Sequence, residues 1–220
     1  MAEKPIPFIG PMVRAILEGR KTQTRRVLDA WCDEAPAFIF RDGIYAYDEN
    51  DAAYHLPKTH SVGDLLWVRE AWKACSQMDA IPPRDMSPYE PIRYEADGFI
   101  RELSCMMIKP GRFRPPMFMP RWASRLTLRV TDVRVQRLHD ISQADAVAEG
   151  VERVSVGIET HWRDYSGDSQ FVGGPRSSFC TLWDSLNAKR GYGWDANPWV
   201  AAYSFEVIRC NIDRLEPVST

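Results

Sequence analysis

The segment Gly19-Arg20-Lys21-Thr22-Gln23-Thr24-Arg25-Arg26 is the most unusual stretch of the chain, crowding four cations around two threonine hydroxyls. Hydroxyls beside cations both donate to and orient a polar group, so the stretch suits a phosphate, a nucleobase or an activated threonine nucleophile. It equally suits a solvated helix exit, because cations are favoured at the negative end of a helix dipole. No other familiar chemistry competes with it. The phosphate loops GxGxxG and GxxxxGKS/T, the GxSxG elbow and the HExxH zinc motif are all absent. Cys32, Cys75, Cys105, Cys180 and Cys210 are scattered, odd in number and form no CxxC pair, which predicts reduced thiols rather than a disulfide frame or a zinc knuckle. The four histidines are equally dispersed, so the expectation is no metal and no cofactor.

A second set of residues could hold a ligand. Trp67, Trp72, Trp122, Trp183, Trp194 and Trp199 raise the question of base stacking, worth about 1–3 kcal/mol per base. Core packing is the simpler role for Trp183 and Trp199. Trp122 lies in an irregular segment between Arg121 and Arg125 and is the better stacking candidate. Arg26, Arg69 and Arg121 could meet a phosphate or a carbonyl, or could pair with surface acids such as Asp64 and Glu70.

The elements that must carry these residues can be read from periodicity. Met12, Val13, Ile16 and Leu17 recur at helical spacing over Pro11–Glu18, with Gly19 as the stop. The basic stretch then runs toward Val27 and Leu28 and enters a strand. Val62-Gly63-Asp64 is a turn before a strand over 65–72. A short strand follows at 92–95, and the prolines of 76–91 and 109–120 predict loops. Over 125–138, Leu126, Leu128 and Val130 alternate with polar residues, and the apolar phase shifts after Asp132, predicting a bulge or bend. Ser142-Gln143-Ala144-Asp145 opens a short helix with a capping-box pattern that closes at Glu149-Gly150. Residues 155–176 predict a loop. Phe179, Leu182, Trp183 and Leu186 mark an amphipathic helix, with Gly191 as its stop, and Trp199–Ile208 marks a last strand.

The unevenly spaced strands disfavour a doubly wound parallel sheet. They predict an α+β fold, a small curved sheet or β-barrel with helices packed outside. At about 150 residues per domain, 220 residues predict one domain with large insertions. Hydrophobic residues at 45% and charged residues at 26% argue against a disordered chain. Twenty-eight basic residues against 30 acidic ones leave a net charge of −2, so any nucleic-acid contact must be a local patch. No apolar run approaches the roughly 20 residues that span a bilayer. The opening MAEKPIPFIG, with an early acid and two prolines, is unlike a signal peptide, so a cytoplasmic protein is expected.

The run from Ile16 to Arg26 resembles the opening motif of ASCH domains, which are PUA-like folds. The resemblance continues at Val62-Gly63-Asp64, the strand from Leu65, the strand from Arg125, Asp140-Ile141-Ser142, Asp145-Ala146, Ala148-Glu149-Gly150 and Trp199–Ile208. Longer ASCH proteins of phages and prophages are most similar, through Met119–Arg125, Leu182–Asn187 and Asn197-Pro198-Trp199. This implies a single ASCH domain over 1–220 with insertions at roughly 29–60, 76–118 and 152–176. ASCH and PUA-like domains are associated with RNA binding. One branch, the small bacterial ASCH amidohydrolases, hydrolyses N4-acetylcytidine and related N4-acylcytosines. The catalytic positions this implies are Lys21, Thr24 and Glu149.

The implied chemistry is coherent in its own terms. Amide hydrolysis needs a nucleophile, a base and an acid for the leaving amine. Thr24 would be the nucleophile, Lys21 its base with a pKa lowered by burial and nearby Arg20, Arg25 and Arg26, and Glu149 the proton shuttle. The roles of Lys21 and Glu149 can be exchanged. One geometric condition applies. In a regular strand Lys21 and Thr24 point to opposite faces, so the scheme needs irregular backbone after Gly19. Two rivals use the same basic cleft: a non-catalytic RNA-binding module, and a ribonuclease. The expected partner is therefore a small nucleoside substrate or RNA, with Arg26, Arg69, Arg121 and Trp122 as binding residues.

Overall fold

The computed structural model describes residues 1–28, 39–41, 45–47, 53–55, 60–157 and 159–215. Strand β1 (Glu3–Pro7) carries two prolines, which suits its place at a sheet edge where missing N–H groups cost nothing. Helix α1 (Gly10–Leu17) begins with Pro11 in its first turn and buries Met12, Val13, Ala15 and Ile16. It stops because Gly19 adopts φ +74°, a left-handed turn that a side chain would strain. Strand β2 (Gln23–Val27) follows.

Strands β3 (Ile39–Arg41), β4 (Tyr45–Tyr47) and β5 (Ala53–His55) form an antiparallel meander within the first expected insertion. The pair Asp42-Gly43, a turn signal in the sequence, lies outside the described residues. The strand expected over 65–72 is broken into β6 (Leu65–Arg69) and β7 (Trp72–Lys73). A second small sheet joins β7 to β8 (Ile92–Tyr94) and β9 (Ile100–Arg101). Strand β10 spans Thr127–Arg137 as one element. Its burial changes phase where the sequence does: Leu128 and Val130 are buried, Thr131 and Asp132 are both exposed, and Val133 is buried again.

Helix α2 (Gln143–Ala148) has the capping box read from its sequence. Ser142 Oγ accepts from the Asp145 N–H at 3.0 Å, and Asp145 reaches back to the Ser142 N–H at 3.4 Å. The loop expected over 155–176 is instead largely a meander of β11 (Arg153–Val156), β12 (Glu159–Arg163) and β13 (Phe171–Val172). Thr160, Trp162, Phe171 and Val172 favour strand, while the glycines that suggested a loop, Gly157 and Gly167, are positive-φ turn residues between strands. Helix α3 (Pro175–Asn187) buries Phe179, Leu182 and Trp183, but Leu186 is exposed and Asn187 takes the buried place at its end. Strand β14 (Trp199–Ile208) matches the expected span.

The fold is α+β, with few helices and several sheets. The largest sheet runs in the order β1-β6-β10-β14-β2 and is mixed, since β1 is parallel to β6 while β10 pairs antiparallel with β6 and β2 with β14. Among the described residues it ends at β1 and β2 and does not close.

The chain forms two compact units, one of Met1–Glu18, Gly63–Arg129 and Glu206–Thr220, the other of Gly19–Val62 and Val130–Phe205. In the first, Trp72, Ile92, Tyr94 and Met119 form a closed apolar cluster, with the Tyr94 hydroxyl donating to the Ala123 carbonyl at 2.8 Å. In the second, α2 packs against α3, and Ala146, Phe179, Leu182, Trp183 and Val200–Tyr203 are buried.

Candidate active site

After Gly19 the backbone runs extended. Lys21 forms an antiparallel bridge with Glu149, the residue that ends α2. The Thr22 N–H donates to the Ala148 carbonyl at 2.9 Å, and its carbonyl accepts from the Phe205 N–H at 2.9 Å. From Gln23 to Val27 the strand pairs in register with β14, Thr24 opposite Tyr203 and Gln23 opposite Ser204. The stretch that carries the basic motif is therefore held between the end of α2 and a full-length strand.

Period-two alternation then sorts its side chains. Lys21, Gln23 and Arg25 share one face, and their contacts show it. Lys21 Nζ lies 2.7 Å from Glu149 Oε2 and donates also to the Glu149 carbonyl at 2.8 Å. Arg25 Nη1 donates to Glu149 Oε1 at 3.0 Å and to Gln23 Oε1 at 2.7 Å. Arg25 Nη2 stands 3.5 Å from Asp145 Oδ2, whose other oxygen accepts from Arg134 at 2.9 Å. Gln23 Nε2 donates to Ser204 Oγ at 3.3 Å. The Phe179 ring lies 5.8 Å from the Arg25 guanidinium.

This cluster is out of water: Lys21 is 2% exposed, Arg25 3% and Glu149 3%. Burial pushes the Lys21 ammonium below its ordinary pKa. The Glu149 charge and hydrogen bond oppose that push, and the Arg26 and Arg25 charges add to it. Burial would raise the Asp145 carboxyl, but hydrogen bonds from Arg134, Ser142 and Gln23 outweigh it and hold the pKa down to about 2. Arg25 Nε and Nη2 are buried and have no hydrogen-bond acceptor among the described residues. Nη2 has the Asp145 carboxylate beyond it at 3.5 Å, which leaves Nε as the buried donor open to a ligand oxygen.

Thr24 belongs to the other face. It is 1% exposed and opposes Tyr203, and among the described residues no hydrogen bond joins it to Lys21 or Glu149. Burial lifts the Tyr203 phenol to about 12, against the His60 N–H that donates to its oxygen at 3.3 Å and the Arg26 charge. Arg26 is half-buried on the same face; burial lowers its pKa while Glu149 and Tyr203 raise it. The structure thus brings Lys21 and Glu149 together and sets Thr24 apart from both.

Compared with known proteins, the chain matches no family model, no curated protein sequence and no solved structure.

The remaining expected binding residues lie in the first unit and have partners there. Arg69 donates to the Met117 carbonyl at 3.3 Å with its guanidinium 4.5 Å from the Trp67 ring centroid. Arg121 is held by Glu3 and Asp213, each at 2.6 Å. Trp122 is half-buried, with the Arg101 guanidinium 5.2 Å over its ring. Gln23, Arg25 and Asp145 are the site residues that motif reading passed over. The signal that finds the first two is alternation from Lys21. For Asp145, which the cap explains on its own, nothing in the sequence points to the cluster.

Chemically, the pair of Lys21 and Glu149 is an acid and a base in direct contact. A proton can pass between them in a single hop at 2.7 Å. A buried lysine of lowered pKa is a better proton donor near neutrality than an exposed one.

Proposed function

We propose that this protein is a hydrolase of the ASCH type, with a PUA-like fold, that cleaves the amide of N4-acylated cytosine nucleosides in the cytoplasm. The observation that carries the reading is the buried Lys21–Glu149 contact at 2.7 Å, with Arg25 on the same carboxylate. A buried ion pair is seldom retained for stability alone, since apolar replacements often do as well.

The alternation of the strand favours water over Thr24 as the attacking group. Glu149 takes a proton from water as its oxygen bonds to the acyl carbon. Arg25 Nε, which has no acceptor among the described residues, stabilises the oxygen of the tetrahedral intermediate. The C–N4 bond then breaks as Lys21 passes a proton to N4, releasing the free cytosine amine and the carboxylic acid. The proton on Glu149 returns to Lys21, and the site is reset. Substituting either residue removes a general acid or base, a loss of about 10²–10⁴ in rate. Thr24→Ala separates the two nucleophiles: activity near wild type supports water, and a loss as deep as that of Lys21→Met supports the threonine.

A non-catalytic RNA-binding module is the second reading, in which Lys21, Thr24 and Glu149, almost wholly buried, hold the fold and take no part in turnover. It predicts retention of RNA in a filter assay with no release of cytidine. A ribonuclease would instead shorten the RNA.

A further inference from the structure

The first unit contains a cavity of about 410 Å³, within the roughly 300–1,000 Å³ range of small-ligand sites. Its walls combine flat surfaces with cations. Tyr89 stands at its rim, 62% exposed, and Trp122 carries the Arg101 guanidinium over its ring. Arg125, Arg209 and Arg214 also line it, with Asp213 as the acid.

Internal pairing accounts for some of these charges. Arg125 is bound by Glu70 and Asp97, and Asp213 by Arg121. Arg101, Arg209 and Arg214 are different: among the described residues none has a carboxylate partner. Among those residues Arg101 donates to carbonyls alone, of Trp122 at 2.9 Å and of Pro88 and Glu90 at 3.3 Å, and its buried Nε has no acceptor there. Arg209 donates to the Leu17 carbonyl. Among the described residues the Arg214 side chain, which is exposed, makes neither a hydrogen bond nor an ion pair. Burial pushes the Arg101 guanidinium down; Tyr94 opposes this and the Arg214 charge adds to it, so two like charges act on each other here. An anion between them would relieve that repulsion.

We propose that this cavity binds a nucleoside phosphate, its base against Tyr89 and the Arg101–Trp122 stack and its phosphate on Arg209 and Arg214. The cations select the phosphate, with Arg forks matching its oxygens. The planar groups select an aromatic ring, because any base stacks on an aromatic or guanidinium face. A bare phosphate would leave those faces unused, and a neutral nucleoside would leave the arginines unpaired. The phosphate can be that of a free mononucleotide or of one residue in an oligonucleotide. This site shares no residue with the Lys21–Glu149 cluster, so the two proposals stand or fall separately.

Isothermal titration calorimetry on the full chain tests it, with AMP, CMP, GMP and UMP, cytidine, inorganic phosphate and a short oligoribonucleotide as probes. At least one mononucleotide should bind, with cytidine and inorganic phosphate at least about tenfold weaker. Arg214→Gln should weaken mononucleotide binding by about tenfold and Tyr89→Ala severalfold. Both positions are exposed, and unchanged melting of these variants would show that the fold is intact. Lys21→Met should bind like wild type. An oligonucleotide that binds tighter than every mononucleotide supports the site with polymer as its source; one that binds no tighter supports it with free nucleotide. No mononucleotide binding, inorganic phosphate as tight as nucleotide, or full affinity in both Arg214→Gln and Tyr89→Ala overturns the proposal.

Discussion

Glu149 follows the last turn of α2, where the carbonyl end of a helix disfavours an anion. Its position is explained by Lys21 and Arg25, which bring two cations to one carboxylate. The consequences of removal are therefore unequal. Glu149→Gln takes from Lys21 and Arg25 the carboxylate they share, leaving Arg25 only Asp145 at 3.5 Å, and should cost about 3–5 kcal/mol in urea unfolding. Lys21→Met leaves Arg25 on Glu149 and should cost clearly less. Equal losses would mean that Arg25 does not share the carboxylate. Lys21 and Glu149 were legible as residue types, because the motif from Gly19 to Arg26 is unusual. The exclusion of Thr24 from their face was legible only as a condition. Deciding it needed the bridge of Lys21 to Glu149 and the register of β2 with β14.

At the scale of elements, α2 is six residues long and too short to persist on its own, so its cap and its packing must hold it. Ser142→Ala should cost about 0.5–2 kcal/mol, lowering the melting temperature by about 2–4 °C per kcal/mol. The same cap ties stability to acid. The Asp145 pKa in the folded chain, about 2, is below its ordinary 3.8. Its contribution is thus complete above pH 3.8 and is lost as pH falls toward 2. An acid titration of stability should show that loss in the wild type and a smaller one in Asp145→Asn. Helices and long strands were legible because each carries a cap or a sustained period, as Ser142–Asp145 and Trp199–Ile208 show. Strands β11 to β13 were not. They are two to five residues long, their partners supply what propensity lacks, and their glycines read as loop.

For the molecule as a whole, charge sets the terms of any nucleic-acid contact. A net charge of −2 leaves no general attraction for a polyanion, so binding has to come from a few placed arginines. If Arg209 and Arg214 carry the phosphate contact, log affinity for an oligoribonucleotide should fall against log salt with a slope of about −1 to −2. A slope several times steeper would require an extended basic surface instead. That arginine-lined cavity could not be read from sequence. Its walls come from residues 88–125 and 209–214, and no local pattern links Tyr89 or Trp122 to Arg214. Length and composition spoke to one folded chain, and its division into two units follows from long-range contacts that composition does not encode.

The buried acid–base pair is the centre of the account, and turnover of N4-acetylcytidine tests it most directly. Purified protein should release cytidine and acetate in equal amounts, and Lys21→Met and Glu149→Gln, each shown to be folded, should lose at least about 100-fold of that rate. Wild-type protein that leaves N4-acetylcytidine and its longer-chain acyl analogues intact across a range of pH, or folded variants that cleave it at the wild-type rate, would contradict it.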